Sequence, residues 1–175
     1  MTGQTETLSD PHAGTSMSDV ARLYQEGIVA GVLGAATIAV WFLILDSING
    51  RPLFTPSVIG TALFRGTQGM DAPESMPVSF DMVLVTTWLH FLVFTVVGGA
   101  ASRLLGFAEE RPNLGFGVIL LFVVFEFGFL AVVMAFAQPV LHALTWPAIL
   151  VGNLLAALVM AVYFWRRHPN LQIEP

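Results

Sequence analysis

The chain has 175 residues, 55% of them apolar and only 11% charged, with a mean hydropathy of +0.76 and a net charge of −5. An ordinary soluble domain carries about 25% charge, so this composition describes an integral membrane protein and excludes a disordered chain. There is no cysteine, which removes disulfide scaffolds, Fe–S clusters and thiol catalysis, and the acidic balance offers no basic footprint for nucleic acid.

Residues 1–20 are rich in Thr, Ser, Gly and Asp and show no apolar period. They read as a disordered cytoplasmic tail, without the basic start and apolar core of a cleavable signal peptide. The membrane domain is expected over residues 21–168, with a short tail at 169–175. Four apolar stretches have the roughly 20-residue length that a bilayer crossing demands. Their cores are residues 27–45, 82–102, 114–137 and 146–165. The predicted spans are residues 24–46, 80–104, 112–137 and 145–166. Strands would need alternating segments of about ten residues, whereas these runs are continuous and longer. The expected fold is all-α, a four-transmembrane-helix bundle.

The first span carries Gly27, Gly31, Gly34 and Ala35, with Gly27 and Gly31 in a small-xxx-small pair. Gly98 and Gly99 end the second span, and Gly152 and Ala156 lie in the fourth. In lipid, close backbone approach at small residues supplies helix association. Packing inside the bundle is the simpler reading, and docking onto another subunit is the alternative.

Residues 46–81 form the longest segment between spans. A structureless loop of that length is unusual in a compact protein. Thr55 as N-cap and Pro56 at the first helical position predict a helix over about 56–65. Val58, Ile59, Ala62 and Leu63 share one face, so the helix is expected to lie in the outer interface with that face down. Asp46 and Arg51 are a candidate loop clamp, pairing across the Asn49-Gly50 turn. The run Trp41-Phe42-Leu43 to Asp46, then Gly50-Arg51-Pro52-Leu53-Phe54-Thr55-Pro56, Gly60 and Leu63-Phe64 resembles a segment of uncharacterised bacterial four-span membrane proteins. The resemblance implies architecture and no activity.

Polar groups at membrane depth are costly and therefore informative. His90 is the ninth residue of the second core and Glu126 the thirteenth of the third. Counted along antiparallel helices, their depths differ by about one turn or less. Glu126, His90, Asn153 and Thr86 form a candidate intramembrane polar site, with Thr37 nearby in the first span. A structural clasp is the favoured role, and a proton relay, ion site or ligand anchor the sharper one. The third span also carries Phe116, Phe122, Phe125, Phe127, Phe129 and Phe136 around nearly all its faces. Lipid or bundle contact explains them more simply than a quinone or pigment pocket.

All seven basic residues are arginine. Arg22, Arg103, Arg111, Arg166 and Arg167 fall on the side of the termini, and Arg51 and Arg65 on the other. That bias places both termini in the cytoplasm of a bacterial inner membrane. Paired membrane-depth histidines for haem, Glu-x-x-His pairs, phosphate loops and nucleophile elbows do not occur in the sequence. No catalytic residue, metal or cofactor is therefore expected. The expected partners are the lipid bilayer and other membrane subunits, or a second copy. The function read from these features is that of a small non-catalytic subunit or assembly partner of a larger complex. An oligomeric small channel or transporter using the Glu–His pair, or a redox membrane protein binding a quinone or other cofactor, is the alternative.

Overall fold

A computed structural model describes residues 17–66, 72, 75–110 and 146–168. Four helices make up the described fold: α1 (Met17–Ile48), α2 (Phe54–Arg65), α3 (Phe80–Glu110) and α4 (Trp146–Arg167). Among the described residues there is no strand. The third predicted span, with Glu126 and its phenylalanines, lies outside the described residues, as do residues 1–16 and 169–175.

Three helices are long and apolar enough to cross a membrane: Ala21–Ile48, Phe80–Phe107 and Trp146–Arg167. A helix meets the bilayer's demand because every backbone N–H and C=O within it is bonded inside the segment. The chain is thus a multi-pass helical membrane protein. Two helices overrun their predicted ends. α1 starts at Met17, inside the predicted tail, and α3 continues to Glu110 instead of ending near residue 104. Hydropathy marks where lipid begins, whereas backbone hydrogen bonding carries on through the polar boundary.

α1 is the central element, packing most extensively on α3 and then on α4. Its contact with α3 is a seam of glycines. A Cβ on Gly27 would stand 2.6 Å from the Gly99 Cα, one on Gly31 would fall on the Phe94 carbonyl, and one on Gly98 on the Gly27 carbonyl. Gly34 fits beneath the Met160 sulfur of α4, and Gly152 of α4 lies against the Trp41 ring. Ala30 and Ala35 are fully buried in the same interface. Small side chains let the axes approach, and dispersion over the close surfaces holds them.

These contacts fix the directions. Gly27 of α1 meets Gly98 of α3, while Ala35 meets His90, so the two helices are antiparallel. Trp41 Nε1 donates to the Ala148 carbonyl at 2.9 Å, and Glu26 meets His168 at 3.2 Å, so α4 also runs antiparallel to α1. One end of the bundle carries the start of α1 and the ends of α3 and α4, and is called here the tail end. The other carries α2, the end of α1 and the starts of α3 and α4.

Candidate functional site

The most elaborate polar assembly lies at the α2 end. Asn49 and Gly50 close α1 in a turn, with Gly50 at φ 70° and the Arg51 N–H donating to the Asp46 carbonyl at 2.8 Å. Leu53 follows at φ 67°, a left-handed conformation uncommon outside glycine and asparagine. It turns the chain so that α2 starts at Phe54, earlier than Thr55 as N-cap would allow. The cap comes from α1 instead. One Asp46 carboxylate oxygen accepts from the Thr55 N–H and the other from the Thr55 hydroxyl, each at 2.8 Å. Asp46 is only 5% exposed. Placing a carboxylate at a helix N-terminus also favours the helix dipole.

Arg51 reaches the segment on the other side of α2. Arg51 Nη2 donates to the Met76 carbonyl at 2.6 Å, and its guanidinium lies 3.7 Å from the Phe54 ring centroid. The Ser57 hydroxyl accepts the Ser79 N–H at 2.9 Å, fixing the entry to α3.

The side of α2 that packs on the rest of the chain is largely small and hydroxylated. It comprises Phe54, Thr55, Ser57, Val58, Gly60 and Thr61, while Leu63 and Phe64 are exposed. A Cβ on Gly60 would run into the Thr86 hydroxyl and stand 2.7 Å from the Met82 carbonyl. Small and hydroxylated residues admit that approach to α3.

The candidate intramembrane site does not assemble among the described residues. His90 Nε2 donates to the Ala35 carbonyl of α1 at 3.3 Å, a long bond that fixes the proton on Nε2. Its ring lies 4.7 Å from that of Phe94. Thr86, one turn away, faces α2, is buried, and its hydroxyl has no hydrogen-bond partner among the described residues. Thr37 bonds back to its own helix at the Leu33 carbonyl, 2.8 Å away. Asn153 is half-buried on α4, and no hydrogen bond among the described residues joins it to His90 or Thr86. Glu126 lies outside the described residues.

A second assembly, absent from the sequence reading, ties the tail end. Glu26 is 5% exposed and accepts from Arg22 Nε and His168 Nε2, both at 3.2 Å. The Ser102 hydroxyl, fully buried, donates to the Leu23 carbonyl at 2.7 Å and holds α3 to α1. The i, i+4 spacing of Arg22 and Glu26 was a usable signal. His168 was not reachable that way, because its partner lies 142 positions earlier in the chain.

Among the described residues no group of three or more His, Cys, Asp or Glu is placed to hold a metal ion. The fold and these ties define a helical multi-pass membrane protein whose described polar groups chiefly join its own helices. No family model, curated protein or solved structure matches the chain.

Proposed function

We propose that this chain is a small four-span protein of a bacterial inner membrane, with both termini cytoplasmic, serving as a non-catalytic subunit or assembly partner of a larger membrane complex. The crossing count is supported by direction. α3 ends at the tail end and α4 starts at the α2 end, so the chain between them has to return across the bundle. The apolar run 114–137 would span about 36 Å as a helix, enough for that return.

The observation carrying the functional reading is how the polar groups are used. Asp46, Ser57, Glu26, Ser102 and His90 all bond to residues of the chain itself. The outward faces of α1 and α3 are apolar, with Val40, Ile44, Leu84, Trp88 and Val96 exposed. Such a body suits contact with lipid and neighbouring helices. α2 lies at the outer boundary in this reading, its exposed Leu63 and Phe64 toward the interface.

Purification in mild detergent at native expression, with mass spectrometry of co-eluting proteins, tests the proposal. A constant set of membrane partners in stoichiometric amount is expected. A pure monomer or homo-oligomer in several detergents overturns it.

A further inference from the structure

We draw no further inference here: the strongest candidate, the Arg22–Glu26–His168 side-chain cluster where the start of α1 meets the end of α4, belongs to the helix ties already described, and nothing in the structure points from it to a ligand or a partner.

Discussion

α3 is gripped twice, by opposite means. Along its middle and tail-end half it meets α1 through Gly27, Gly31 and Gly98, where backbone lies on backbone. At its start it meets α2 through Ser57 and Gly60, and α2 itself hangs from the Asp46 carboxylate. The first contact is made by the absence of side chains and has no tolerance for added atoms. The second depends on a few directional bonds and weakens in proportion as they are removed. In lipid there is no hydrophobic drive to bring helices together, so a membrane protein has these two resources and this chain uses each where the other would fail. A polar clamp at mid-membrane would carry a desolvation cost, whereas the boundary tolerates one.

The largest expected effect comes from breaking the seam. Gly31→Leu forces a side chain onto the Phe94 carbonyl, and an overpacked core loses about 3 kcal/mol or more. Reversible unfolding in mixed detergent micelles is expected to show little folded protein. Gly99→Ala is the sharpening control. With nothing within 4 Å of its Cβ among the described residues, it is expected to be neutral or to stabilise by up to about 1 kcal/mol through helix propensity. A large loss there would mean the seam extends further than the contacts indicate.

The clamp ranks next. Asp46→Ala strands the Thr55 N–H and hydroxyl and is expected to cost about 2 kcal/mol. Hydrogen exchange at Thr55 and protease sensitivity near residue 50 are expected to rise, while the α1–α3 contact survives. Asp46→Asn keeps an acceptor and is expected to lose about half as much. Global unfolding by Asp46→Ala would show that α2 is integral to the bundle instead of docked on it.

Ser102→Ala removes one buried bond to the Leu23 carbonyl, and about 1 kcal/mol is expected in the same unfolding measurement. The smallest effect belongs to Arg65–Asp81, a pair at 2.6 Å whose side chains are 56% and 59% exposed. Arg65→Ala is expected to change stability by less than about 0.5 kcal/mol and to lose even that at high salt. An effect as large as that of Asp46→Ala would place this pair in a drier setting than its exposure implies.

The apolar runs of the three described spans and their helical state follow from the sequence, because a backbone in lipid has to bond within its own segment. The small-residue positions were likewise visible at their spacing. Which glycines lack room for a side chain was not, since Gly98 and Gly99 both abut Gly27, yet a Cβ on Gly98 would fall on the Gly27 carbonyl while one on Gly99 meets nothing within 4 Å among the described residues. The Asp46 and Arg51 positions were legible as a clamp, but their partners were set by the turn at Leu53, whose left-handed φ no residue type announced. Thr86 and His90 lie one turn apart, and spacing alone puts them in one site. The tertiary structure divides them, because α2 covers Thr86 and α1 covers His90. The Glu26–His168 contact belongs wholly to the fold. Residues far apart in the chain meet there because α1 lies antiparallel to both α3 and α4, and periodicity along one helix carries no information about the depth at which another is docked.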